Sequence, residues 1–90
     1  MQIDFLKIND LYGEEVLKSF KENIETVVEN MNYLVKLGFD NYEEIVERYA
    51  YVVLLSPNEF KTKLNDLILK LGPNYLDKFE TDMSLWEKML

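Results

Sequence analysis

From Glu14 onward the apolar positions fall at Val16, Phe20, Ile24, Val27, Met31 and Leu34, at intervals of 4, 4, 3, 4 and 3. Those intervals hold all six on one face of a 3.6-residue helix, and Leu17, Val28 and Val35 widen the stripe. Glu14 and Glu15 occupy the first turn, where the positive end of the helix dipole favours carboxylates. Gly38 supplies the left-handed residue with which such a run ends. A single helix of about 36 Å fits at 1.5 Å per residue, and so do two helices broken near Phe20–Glu22. The pattern leaves both open. Upstream, residues 3–9 form a short amphipathic segment carrying Ile3, Phe5, Leu6 and Ile8, and Asp10 to Gly13 reads as a breaker.

The helical period continues downstream. Asp40 followed by Glu43 reads as a capping box that opens a helix bearing Tyr42, Ile45, Val46, Tyr49, Val52 and Val53. The stretch Tyr49–Leu55 is also β-prone, so a strand is the competing reading, but no second alternating segment exists to pair with it. Ser56-Pro57-Asn58-Glu59 offers a capping Ser, Pro at the first helical position and Glu at the third. It predicts a helix with Phe60, Leu64, Leu67, Ile68 and Leu71 on one side, stopped by Gly72-Pro73. A short turn of helix over Tyr75, Leu76 and Phe79 follows. Ser84 with Glu87 reads as a third capping box, opening a last segment with Leu85, Trp86, Met89 and Leu90.

The expected fold is therefore all-α. It is a single domain over residues 1–90, a compact bundle of four to six helices arranged as helical hairpins. Its expected core is Ile24, Val27, Met31, Leu34, Ile45, Tyr49, Val52, Leu64, Leu67 and Leu71.

Two segments of similar form, Leu34-Val35-Lys36-Leu37-Gly38 and Ile68-Leu69-Lys70-Leu71-Gly72, lie 34 residues apart, a spacing typical of helical repeats. Between them stand Phe39, Ile45 and Val53-Leu54-Leu55-Ser56. In this order the motifs resemble the repeat of the mitochondrial transcription termination factor (mTERF) family, over about residues 22–79. Glu22–Gly38 is similar to the second half of a preceding unit, and Ala50 stands where the family has a proline. The resemblance implies two repeat-like units of stacked helix pairs, and a nucleic-acid-binding module. Arg48, Lys61, Lys63, Lys70 and Lys78 are the residues available for such a footprint.

Charge points the other way. The net charge is −7, and residues 1–47 carry all of it, with eleven acidic and four basic side chains. An acidic surface repels a phosphate backbone, which disfavours nucleic acid as a partner. With no cysteine and no histidine, disulfides, thiol nucleophiles, His-based acid–base catalysis and the usual zinc ligands are excluded. Carboxylates at helical spacing, Glu25 with Glu29 and Glu43 and Glu44 with Glu47, read as solvated helix faces, since a helical di-iron site requires Glu-x-x-His. The three isolated glycines form no phosphate-binding loop. No cofactor, metal, small-molecule substrate or enzymatic activity is expected.

No basic start with an apolar h-region opens the chain, whose first residues are Met1-Gln2-Ile3-Asp4-Phe5, and no apolar run approaches the ~20 residues that span a bilayer. The chain reads as a complete small cytoplasmic protein without a membrane segment. Its expected role is interaction or regulation through a protein partner, a basic one, or through self-association. The expected contacts are Glu25, Glu29, Glu43 and Glu47 on an acidic helical face, together with Trp86 and Met89 near the C-terminus. For Trp86, core closure and partner contact both fit a residue so close to the chain end.

Overall fold

The structure is a computed structural model that describes residues 3–90, so Met1 and Gln2 of the opening pentapeptide lie outside the described residues. It is 81% helical, with no strand among the described residues. The β-prone stretch at Tyr49–Leu55 is therefore not a strand. Seven α-helices follow in order: α1 Phe5–Tyr12, α2 Glu14–Glu22, α3 Ile24–Leu37, α4 Tyr42–Arg48, α5 Ala50–Val53, α6 Pro57–Leu71 and α7 Tyr75–Thr81. A closing 3-10 helix spans Met83–Met89.

That is more elements than the periodicity indicates, because two runs that share one apolar period are broken. The first break falls at Asn23, whose backbone leaves the helical region at φ −115°, ψ 30°. Its side-chain amide and its N–H both donate to the Ser19 carbonyl, each at 2.9 Å. The second falls at Tyr49, at φ −129°, ψ 53°, and leaves Ala50–Val53 as a separate turn of helix. Ala50, Val52 and Val53 are all fully buried there.

α1 packs on α2 and α4, α3 on α2, α4, α5 and α6, and the 3-10 helix closes over α5, α6 and α7. The Cα radius of gyration is 12.6 Å, close to the ~12 Å of a compact chain of this length. Of the expected core, Val27, Met31, Leu34, Ile45, Val52, Leu64 and Leu67 are buried. Tyr49 and Leu71 pack against the core from its edge, and Ile24 lies outside it. The break at Asn23 turns Ile24 off the face that Val16 and Phe20 bury. Val28 and Val35, read as flanks of the stripe, remain exposed on the outer side of α3.

Two of the three expected capping boxes are corrected. Ser56 does cap α6, with its hydroxyl accepting the Glu59 N–H at 3.4 Å and Pro57 at the first position. α4, however, begins after Asn41 with no side-chain cap, so Asp40 stays outside the helix. At the C-terminus the cap is Asp82, whose carboxylate accepts the Ser84 N–H at 3.1 Å and the Ser84 hydroxyl. Ser84 is thus inside the helix, not ahead of it.

Gly38 ends α3 in the left-handed region, at φ 101° and ψ 7°. Its N–H donates to the Val35 carbonyl and the Phe39 N–H to the Leu34 carbonyl, both at 3.0 Å. This is the paired Schellman closure, with Phe39 and Leu34 supplying its apolar contact. The reversal drops Phe39 into a cluster with Tyr75, Phe79 and Trp86, at ring-centroid distances of 6.0, 5.4 and 5.2 Å. Phe79 and Trp86 stack at 4.3 Å.

Candidate functional site

The loop that follows Gly38 carries Asp40 and Asn41 to the rim of an open groove of about 920 Å³. α4 contributes Glu44, Arg48 and Tyr49, and the α7 side contributes Leu76, Asp77, Glu80, Asp82, Met83 and Ser84. Gly38 and Phe39 line the groove too, and Phe39 meets α7 through the aromatic cluster. Tyr75 strengthens the joint by donating its hydroxyl to the Leu37 carbonyl at 2.8 Å.

Five carboxylates line this groove, those of Asp40, Glu44, Asp77, Glu80 and Asp82, against one cation, Arg48. That cation is engaged within the chain, 3.3 Å from Glu44 and 6.0 Å from the centre of the Tyr49 ring. Among the described residues Asp40, Asp77 and Glu80 form no ion pair, and each is exposed. Among the described residues no cluster of three or more acidic side chains is placed to hold a metal ion. The arrangement is a wide anionic trough. What it can do chemically is attract and orient positive charge.

The expected contact residues are distributed differently. Glu25 and Glu29 stand on α3 beside Ile24, Val28 and Asn32, and Glu29 lies 3.8 Å from Lys61 of α6. Glu43 and Glu47 border a separate groove of about 470 Å³ with Ile3, Asp4, Ile8 and Val46. Glu47 is paired with Lys7 at 2.9 Å, and its carbonyl accepts the Tyr12 hydroxyl at 2.6 Å. The four glutamates therefore do not line one common groove.

Trp86 and Met89 are 0% and 1% exposed, so neither offers contact surface to a partner. The physical reason is the 3-10 geometry. At three residues per turn Met83, Trp86 and Met89 eclipse one another along one edge, and that edge is turned inward. Trp86 closes the core, the other of its two expected roles.

Of the basic residues considered for nucleic acid, Arg48, Lys61 and Lys63 are in ion pairs, the last with Glu59 at 2.8 Å. Lys61 also sits 5.5 Å from the centre of the Tyr33 ring. Lys78 donates to the Leu71 carbonyl at the end of α6. Lys70 is exposed on α6.

Sequence alone does not bring the carboxylates of the trough together: Asp40 reads as a helix cap, Glu44 as part of a solvated helix face, and Asp77, Glu80 and Asp82 fall in a half of the chain whose net charge is zero. Compared with known proteins, the chain matches no family model, no curated sequence and no solved structure.

Proposed function

We propose that this is a non-enzymatic, cytoplasmic interaction protein that binds a basic segment of a protein partner in the anionic trough between α4 and α7. The observation that carries this reading is the excess of five carboxylates over one internally engaged guanidinium along one open groove. Exposed charge of one sign in a concave surface raises the local concentration of its counterpart and speeds encounter. The −7 net charge of the chain adds a long-range field of the same sign. A nucleic-acid-binding repeat module, the alternative that the family resemblance implies, draws little from the surface, because four of its five basic residues are held within the chain.

The test is a titration of the isotope-labelled protein with a lysine-rich dodecapeptide, followed by amide chemical shifts at low and moderate salt. The reading expects shifts centred on Asp40, Glu44, Asp77 and Glu80. They should weaken as salt rises, and the combined changes Asp40→Lys, Asp77→Lys and Glu80→Lys should abolish them. Shifts spread evenly over Glu14, Glu15, Glu22 and Glu25, or no shifts at all, would overturn it. Retention of the protein on heparin at low salt would instead favour the nucleic-acid alternative.

A further inference from the structure

The trough does not end at Arg48 and Tyr49. These two residues also wall a second, smaller groove of about 350 Å³, completed by Leu11, Tyr12, Glu47 and Glu87. Here the surface changes character. Leu11 is 55% exposed and Tyr51 56% exposed, while most apolar side chains of the chain are covered. The Tyr51 ring meets Tyr12 edge to face, at 5.9 Å and 86°. Tyr12 is fixed from below by its hydroxyl bond to the Glu47 carbonyl. A rigid aromatic pair beside an exposed leucine is a platform on which an apolar side chain can settle at little cost in conformational entropy.

We infer that this shelf of Leu11, Tyr12 and Tyr51 seats an apolar side chain of the same basic partner, so that the ligand is an amphipathic cationic segment. The inference rests on the reading of the trough given above and adds the second half of the ligand's chemistry. Charge complementarity names the occupant. Glu87 and Glu47, the latter paired with Lys7, rim the shelf, the five carboxylates of the trough adjoin it, and Arg48 between them is already paired with Glu44. An acidic partner is repelled there, and so is a second copy of a chain carrying −7. A segment with lysines or arginines on one side and a leucine or aromatic residue on the other satisfies both surfaces at once. This is the helix-in-groove mode of recognition with cationic flanks.

Two synthetic peptides of equal length and equal lysine content test this. One carries Leu at every third and fourth position to form an apolar stripe, and its counterpart has Ala at those positions. Each is titrated into the full chain with affinities and amide shifts recorded. The Leu peptide should bind roughly tenfold tighter or more, the effect of one well-seated anchor. Its shifts should extend from Asp40, Asp77 and Glu80 to Leu11, Tyr12 and Tyr51. Leu11→Ser with Tyr51→Ser should cancel that gain and leave the Ala peptide's affinity as it was. Leu69→Ser, at an 81% exposed position on neither groove, should change nothing. Should the double variant lose its helical circular dichroism, Leu11→Ser alone carries the test. Equal affinity for both peptides, with shifts confined to the trough, overturns the shelf and leaves the trough standing. Binding of neither peptide overturns both. Shifts at Leu11 and Tyr51 that follow protein concentration without any peptide make the shelf a self-association surface and overturn the inference.

Discussion

At the residue scale the most consequential side chain is Asn30, the only fully buried polar residue among those described. Its amide nitrogen donates to the carbonyls of Val53 and Leu55, each at 2.9 Å, and so satisfies the end of α5 inside the core. The intervals Val27–Asn30–Met31–Leu34 place it on the core face of α3, so the signal was present as one polar residue within an apolar stripe. Its partners lie 23 and 25 residues away, and no local rule could supply them. Asn30→Ala should cost about 1–3 kcal/mol in chemical denaturation, because two carbonyls lose their donor. Asn30→Asp should cost more at neutral pH, since a carboxylate would face both carbonyl oxygens. Burial raises such a carboxyl's pKa above its unfolded value, so its deficit relative to the parent should shrink as the pH falls toward about 4.

The glycines that end α3 and α6 separate in the same way. Both have positive φ, as the repeated Leu-Gly pattern implies, but only Gly38 is left-handed. Gly72 sits at φ 87°, ψ −168°. That extended ψ suits the following Pro73, whose ring disfavours a helical ψ in the residue before it, and Gly13 takes a similar conformation without a proline after it. Asn tolerates the left-handed region, whereas the Gly72 region is essentially closed to any residue with a Cβ. Gly72→Asn should therefore cost about 1–3 kcal/mol, although nothing stands within 4 Å of the Cβ it would add. Gly38→Asn should cost less, limited by Leu76 Cδ1 at 3.2 Å from its Cβ. Equal losses at the two sites in urea melts would contradict this assignment of strain.

At the element scale, the helical class, the start of α6 and the helix ends at Gly38 and Gly72 were legible because caps and periods act over three or four residues. A break near Phe20–Glu22 is one of the two forms the first run allows, and α2 does end at Glu22; the break at Tyr49 has no such signal. Neither site has Pro or Gly, and each break follows from how the flanking helices dock. The C-terminal segment shows the same limit. Its Leu85, Trp86, Met89 spacing suits an α-helix, whereas the 3-10 form aligns Trp86 with Met89 and brings Trp86 against Phe39 and Phe79. Trp86 should accordingly behave as a core residue. Trp86→Ala should cost about 3–5 kcal/mol, enough to unfold much of a marginal domain, while Trp86→Phe should retain a cooperative melt. A Trp86→Ala variant with an unchanged melting midpoint would mean that the aromatic cluster does not close the bundle.

At the scale of the whole molecule, charge summed along the chain and charge in space are distributed differently. Residues 1–47 hold the entire net charge, yet the trough draws three of its five carboxylates from the neutral half. Three of that half's five lysines are engaged elsewhere: Lys61 and Lys63 in ion pairs along α3 and α6, Lys78 on a carbonyl. The consequence is a prediction about salt with opposite signs for folding and for binding. The five ion pairs among the described residues lie at 2.8–3.8 Å, mostly between exposed partners, and such pairs contribute little each. Repulsion among seventeen carboxylates against ten cations acts on the folded state as a whole. Screening that shortens the Debye length from about 30 Å to a few ångströms should relieve the repulsion more than it weakens the pairs. Raising NaCl at pH 7 should then stabilise the fold by about 1 kcal/mol, or roughly 4–8 °C in melting temperature, while weakening cationic peptide binding over the same range. A melting temperature that falls with salt would show that the ion pairs outweigh the repulsion.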